Sequence, residues 1–191
     1  LVETSLGAAP ARRVLEVACG TGRHTLWMAK TASSPVITAV EPNREMLAIA
    51  KAKASEHAAI TWLEGEAAHL PVPDASFDVV LNALSMEHVP AVEPVLREMH
   101  RVLAPRGSLV VSVYHPYFLL KGVPTHFASG TDGVEYEMPT YVHHAADYLA
   151  TLIDLDMKLT HFHEPIVDDA LIARRPNMEK HRGLPLAIIF R

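Results

Sequence analysis

The residues from Val14 to Gly22 read Val-Leu-Glu-Val-Ala-Cys-Gly-Thr-Gly. A short apolar run stops at a glycine pair, and a helix-like segment begins immediately after it. Glycines at such a turn let the backbone bend tightly and approach a ligand closely. Glu41 ends the next apolar run, 21 residues after Gly20. A carboxylate in that place can accept hydrogen bonds from both hydroxyls of a ribose. Together these features point to a cofactor that contains a nucleoside. A dinucleotide fingerprint would carry glycine or alanine where Thr25 stands, and it includes no carboxylate at the place of Glu16. A nicotinamide-dependent oxidoreductase is therefore the alternative reading.

Histidines supply the other candidate chemistry. His115 and His88 each follow a strand-like run, and imidazole titrates near neutrality. Either could act as a general base, while His88 could instead simply pack in its turn. His143 and His144 could reach the same region from the segment that follows. His161 and His163 alternate on one strand face, but neither they nor the His143-His144 pair have the spacing of a helical zinc pair. No metal site is expected. Cys19 reads as a small packing residue of the glycine loop.

These residues must be positioned by alternating elements. Arg13 to Ala18, Val36 to Val40, Ile60 to Leu63, Phe77 to Leu81 and Ser108 to Tyr114 read as strands. His24 to Ala32, Arg44 to Glu56 and Val92 to Leu103 read as helices between them, with Asn43 as an N-cap and Pro94 in a first turn. The strands are near-continuous apolar runs, which suits a parallel sheet covered on both faces. The fold expected is α/β, doubly wound, with ligands at the carboxyl ends of the strands. From His115 to His144 no period is visible, and so long an irregular stretch is often functional. Ala145 to Met157 returns to a helix, and Leu159 to His163 and Leu184 to Phe190 read as closing strands.

Composition bounds the rest. The chain has 191 residues, 49% of them hydrophobic and 20% charged, with one cysteine and a net charge of −5. It is expected to be one domain, with 13–114 as a cofactor-binding core, 115–144 as a substrate-covering insertion and 145–191 as a closing helix and strands. A disulfide scaffold and a cysteine-rich zinc module are excluded. No apolar run approaches a membrane span, no leader is visible, and no basic block suggests nucleic acid. The expectation is a soluble cytoplasmic protein with a small-molecule substrate, no nucleic-acid partner and no membrane partner. Oligomeric state cannot be read.

The motifs, taken in order over about 13–114, resemble the class I S-adenosylmethionine-dependent methyltransferases. Glu16 with Gly20 and Gly22 is similar to the family's first motif, and Glu41-Pro42-Asn43 with Met46 to its ribose-binding strand end. Glu64 to Pro71 resembles the adenine loop, and Phe77-Asp78-Val79-Val80 the fourth strand. Leu96 to Gly107 resembles the helix and turn before the fifth strand.

This resemblance implies a Rossmann-like, mostly parallel seven-stranded sheet with an antiparallel last strand. It implies S-adenosylmethionine as cofactor and S-adenosylhomocysteine as product. Carried over, Glu16, Ala18, Gly20 and Gly22 line the methionine and ribose end. Glu41, Pro42 and Met46 hold the ribose, Glu66 and Ala67 face the adenine, and Asn82, Ala83 and Leu84 border the sulfonium. Ala18 departs from the family's usual glycine. Helices usually precede the first strand, and the short segment before Arg13 implies an unusually open site or a truncated chain.

One small-molecule branch has a His-Pro pair like His115-Pro116 and a Glu-Pro pair like Glu164-Pro165. Its usual glycine before the sixth strand is replaced here around Asp156 and Met157. The expected function is methyl transfer to a small molecule, with oxygen preferred over nitrogen or carbon because histidines surround the site. A non-catalytic cofactor-binding scaffold is a further alternative.

Overall fold

The protein is described here as a computed structural model covering residues 13–31, 36–54, 60–121, 126–128 and 135–191. Five parallel strands form most of one sheet: β1 (Arg13–Val17), β2 (Val36–Glu41), β3 (Ile60–Glu64), β4 (Phe77–Ala83) and β5 (Leu103–Tyr114). Between them run α1 (Arg23–Thr31), α2 (Arg44–Lys53) and α3 (Val92–Val102). After β5 come α4 (Pro116–Leu120), the strands β6 (His126–Ala128) and β7 (Glu135–Glu137), and α5 (Ala145–Asp154). The chain closes with β8 (Phe162–His163), α6 (Asp169–Arg174) and β9 (Ala187–Phe190).

The seven-stranded sheet has the order β3-β2-β1-β4-β5-β9-β8. β9 lies antiparallel between β5 and β8, with Val111 opposite Phe190. This is the doubly wound sheet that the sequence implied, and its strand order reverses at β1.

Alternate residues of each strand point to opposite faces, and both faces are apolar. Leu15, Val17, Val40, Val80 and Val111 pack with Leu96 and Met99 of α3 and Tyr148 and Leu152 of α5. Val14, Ile37, Val79, Leu81 and Val110 pack on the other face with Met28 of α1. Glu16 falls on the second face, two residues from Val14. A carboxylate is thereby carried beneath α1.

Several boundaries differ from the sequence reading. The segment from His115 is not devoid of regular structure: α4 starts at Pro116, and β6 pairs antiparallel with β7. A five-residue helix and three-residue strands are too short to show a period. The expected end of α2 at Glu56 lies outside the described residues. α5 stops at Asp154 rather than Met157, because Asp156 adopts a left-handed φ of 52°. Asp156 N–H then donates to Ile153 O and Met157 N–H to Leu152 O, the hydrogen bonds of a Schellman cap. Asp156 thus takes, at the end of α5, the left-handed conformation that favours glycine. Of the two closing strands, only Phe162–His163 and Ala187–Phe190 are regular. The helix α6, capped by Asp168 accepting from Leu171 N–H, had no sequence signal beyond its cap.

Arg101, on the last turn of α3, ties the loop before β4 to the sheet. Its guanidinium donates to both Glu98 oxygens at 2.8 Å, to Asp74 Oδ1 at 2.5 Å, and to the carbonyls of Val72 and Leu70 at 3.1 Å. Glu98 also accepts from Leu70 N–H. The Arg101 guanidinium, helped by that amide, holds Glu98 below the usual glutamate range. Arg101→Met removes the whole set and should cost about 2 kcal/mol in denaturant unfolding at neutral pH. A depressed carboxylate stabilises the fold above the ordinary glutamate pKa and loses that contribution as pH falls through its lowered value. The gap between variant and wild type should therefore narrow in acid. A gap independent of pH would show that Glu98 titrates normally.

Candidate functional site

The glycine loop begins where β1 ends. Ala18 turns the chain with φ 56°, Gly20 with φ 57° and Gly22 with φ 77°. An L-residue at such a φ costs about 1–2 kcal/mol, which is the physical reason glycine usually stands at Ala18's place. The two glycines serve different ends. A Cβ on Gly20 would meet only Met46 Cε, at 3.6 Å, so that side of the loop is open. A Cβ on Gly22 would press on Trp62 at 3.0 Å and Ala50 at 3.1 Å, so Gly22 lets α1 and α2 close together.

Two carboxylates flank this loop. Glu16 is buried, accepts a hydrogen bond from Thr25 Oγ1, and lies 3.5 Å from His24 Nδ1. Thr25 is the residue in the place of a dinucleotide motif's third glycine, and its hydroxyl holds β1 to α1. Glu41 accepts from Gly20 N–H at 2.8 Å through one oxygen and from Asn43 N–H at 3.1 Å through the other. Asn43 caps α2, accepting from Glu45 N–H and Met46 N–H. The loop after β1 and the start of α2 are thus joined through one side chain.

The remaining cofactor candidates sit around these. Pro42 is exposed, and Met46 is 36% exposed beside Gly20. Glu66 and Ala67 follow β3 in a tight turn closed by His69 N–H donating to Glu66 O. Glu66 is exposed, and Ala67 packs against the main core. Asn82 is fully buried near the end of β4. Its amide donates to Val17 O at 3.0 Å and to Ser85 Oγ at 2.7 Å, fixing the ends of β1 and β4 side by side. Ala83 is half-buried. Leu84 is 40% exposed and takes φ 53°, its N–H donating to Ser112 O. Two non-glycine residues in the left-handed region, Ala18 and Leu84, therefore flank the same crevice.

These residues fit a nucleoside. A carboxylate offers about four lone-pair sites. Two of Glu41's are taken by backbone amides, which leaves capacity for two hydroxyls. Met46 and Leu84 add exposed apolar surface at the rim.

The candidate bases have defined tautomers. His115 caps α4, its Nδ1 accepting from Tyr117 N–H at 3.1 Å, and its Nε2 pairs with Glu164 Oε1 at 3.1 Å. Nδ1 must carry the lone pair, so the Nε2 proton is donated to the carboxylate, and both ring nitrogens are engaged. His88 Nδ1 lies 2.9 Å from Pro139 O. A carbonyl only accepts, so Nδ1 holds the proton and Nε2 the lone pair. By the same argument His143 donates from Nε2 to Val89 O at 2.8 Å. His144 caps α5 through its backbone N–H, which donates to Asp147. Cys19 is buried, and burial with the nearby charges of Glu16 and Glu41 pushes its thiol far above its ordinary range. Both favour the neutral thiol and a packing role in the glycine loop. Among the described residues, no group of three or more His, Cys, Asp or Glu side chains could hold a metal.

One residue escaped the sequence reading. Glu87 lies in the single-turn helix Met86–His88 after β4, 2% exposed, with no hydrogen-bond partner among the described residues on either carboxyl oxygen. The only sequence clue was a carboxylate between the apolar Met86 and Val89.

Comparison with known proteins agrees with this geometry. A family model described as "Methyltransferase domain" matches residues 15–111, just over half of the chain. The demethylmenaquinone methyltransferase of Thermus thermophilus is 37% identical over 116 residues, 60% of this chain and 52% of that protein. A ubiquinone/menaquinone biosynthesis C-methyltransferase of Rubrivivax gelatinosus is 36% identical over 99 residues, 52% of this chain and 38% of that protein. The chain spans about half, or less, of the length of these relatives. The crystal structure of an S-adenosylmethionine-dependent methyltransferase from Mesorhizobium loti matches with TM-score 0.79 at 21% identity, over 99% of this chain and 94% of that one. At that identity the likeness concerns the fold. Glycine loop, paired carboxylates and family match coincide on one stretch, and the chain belongs to the methyltransferase-domain family, with the fold of a solved S-adenosylmethionine-dependent methyltransferase.

Proposed function

We propose that this chain transfers the methyl group of S-adenosylmethionine to a small-molecule acceptor. The observation that carries the reading is the Glu41 carboxylate, bonded to Gly20 N–H and Asn43 N–H with capacity left for two ribose hydroxyls. When bound, the cofactor supplies a methyl already made electrophilic by its sulfonium. The protein's task is alignment, which can supply ~7–11 kcal/mol. Glu41 holds the ribose, and Gly20 admits it close to the backbone. Glu16 and Ala18 border the methionine end, and Glu66 and Ala67 the adenine. Asn82, by holding the ends of β1 and β4 together, sets the floor on which Ala83 and Leu84 face the reacting group.

The relatives named for demethylmenaquinone and for C-methylation support a quinone-type ring as acceptor and carbon as the atom methylated. Those names give no support to the preference for oxygen that the histidines suggested. The His115 geometry points the same way, because an imidazole with both nitrogens engaged is poorly placed to take a proton. His115 fits a role in orienting the α4 segment, whereas His88 keeps a lone pair on Nε2 and is the better-placed base. Release of S-adenosylhomocysteine with any acceptor separates this reading from a cofactor-binding scaffold.

S-adenosylhomocysteine should raise the melting temperature of the purified chain. At about 100 times its dissociation constant it should add about 2.7 kcal/mol of stability. No shift at millimolar ligand, with the protein folded, would overturn the cofactor assignment.

Glu41→Ala should weaken S-adenosylhomocysteine at least tenfold by calorimetry, since hydrogen bonds to a charged group are worth ~1.5–3 kcal/mol each. It should also lower the melting temperature modestly, because Gly20 and Asn43 lose their acceptor. Unchanged affinity would place the ribose elsewhere.

A further inference from the structure

Glu87 is buried, its carboxyl oxygens have no hydrogen-bond partner among the described residues, and no step described so far uses it. A carboxyl removed from water without a partner is strongly unfavourable. Such groups in native interiors call for a specific cause, such as a ligand or a reaction. Burial pushes this carboxyl above the usual carboxylate range, while its own backbone N–H and the neighbouring His88 act the other way.

Its position narrows the cause. The turn Met86–His88 follows β4 at the carboxyl edge of the parallel strands, where such sheets hold ligands. Met86, the neighbour of Glu87, packs in one cluster with Val113 of β5 and Tyr148 of α5, and His143, bonded to Val89 O, stands edge-on to the Tyr148 ring. The turn therefore lies against β5 and α5, and burial, with the Glu87 charge, raises the Tyr114 and Tyr148 phenols. In the sheet order this is the opposite side of β4 from β1 and its glycine loop.

A strap from Met138 to His143 covers the turn. Tyr141 N–H donates to Glu87 O at 2.8 Å, His88 to Pro139 O, and His143 to Val89 O. All three bonds use backbone carbonyls as acceptors. The strap closes over the turn, and both carboxyl oxygens are without a hydrogen-bond partner among the described residues.

We propose that Glu87 binds the methyl acceptor, its carboxyl receiving a hydroxyl or amine hydrogen of a small aromatic molecule lodged beside Tyr114 and Tyr148. This rests on the methyltransferase reading and extends it to the acceptor half of the site. It requires an acceptor with a polar hydrogen on an otherwise apolar ring, as in a phenol, a hydroquinone or an aromatic amine. The strap must lift for such a molecule to enter, and its three hydrogen bonds can be exchanged for water when it does.

The test uses Glu87→Leu and Glu87→Gln in the full chain. S-adenosylhomocysteine affinity is measured by calorimetry and turnover by its release. The acceptor is the best of a panel of phenols, hydroquinones and aromatic amines. Glu87→Leu should leave S-adenosylhomocysteine affinity within about twofold and raise the melting temperature, since an unpaired buried carboxyl is gone. It should raise acceptor KM at least tenfold, with a smaller change in kcat. Glu87→Gln keeps one accepting oxygen and should give an intermediate KM, which also serves if the leucine variant fails to fold. Unchanged KM in both variants would overturn the proposal, as would a wild-type protein that binds S-adenosylhomocysteine but turns over no member of the panel. A wild-type protein that does not bind S-adenosylhomocysteine would overturn the methyltransferase reading first, and the proposal with it.

Discussion

One carboxylate governs the glycine-loop side of the crevice. Glu41 accepts from Gly20 N–H on one side and Asn43 N–H on the other. The loop after β1 and the first turn of α2 are therefore held at a fixed separation before any ligand arrives. Asn43 in turn caps α2 and sets where Met46 emerges. Preorganisation of this kind lowers the ordering cost of binding. Glu16 performs the matching task underneath, where Thr25 binds it and α1 is drawn onto the sheet.

The opposite side of the crevice is built under strain. Leu84 adopts a left-handed conformation in the turn out of β4, and Ala18 does so in the turn out of β1. Asn82 bonds to Val17 O between them and fixes the distance between the two turns. Non-glycine residues persist in that region only where their surroundings over-determine them. Here the surroundings are a central sheet with Leu15, Val17, Val80 and Leu81 fully buried. Rigidity of the sheet is what lets the loops above it hold unfavourable shapes.

The fold and the geometry of the glycine loop were legible in the sequence, and the turn after β4 was not, for a definite reason. Glu16, Gly20, Gly22 and Glu41 act through neighbours close along the chain or at the next strand end, so order and spacing carry their meaning. His115 attracted attention as a base, but its ring is committed to Tyr117 N–H and to Glu164, 49 residues later. No local pattern announces that pairing. Glu87 is the extreme case. Its burial is decided by β5, α5 and the strap, all remote in sequence, and a single-turn helix has no periodicity from which burial could be inferred. Asp156 shows the same limit in the backbone, since only the hydrogen bonds of Met157 and Asp156 reveal that it ends α5 as glycine would.

The place of β9 has a consequence for how the protein is made. Ala187–Phe190 is buried throughout and sits between β5 and β8, with Val111 facing Phe190 and Tyr114 facing Ala187. On a ribosome, every element that covers the cofactor loop is synthesised well before this strand. Until residue 190 has left the exit tunnel, the edge of β5 presents unpaired N–H and C=O groups between apolar side chains, and β8 lacks the strand it pairs with. Such an edge can pair with another nascent chain as readily as with its own. Completion of the sheet is therefore a long-range event that waits on β9. The newborn chain is most exposed to misassembly in the interval between the synthesis of β5 and that of β9.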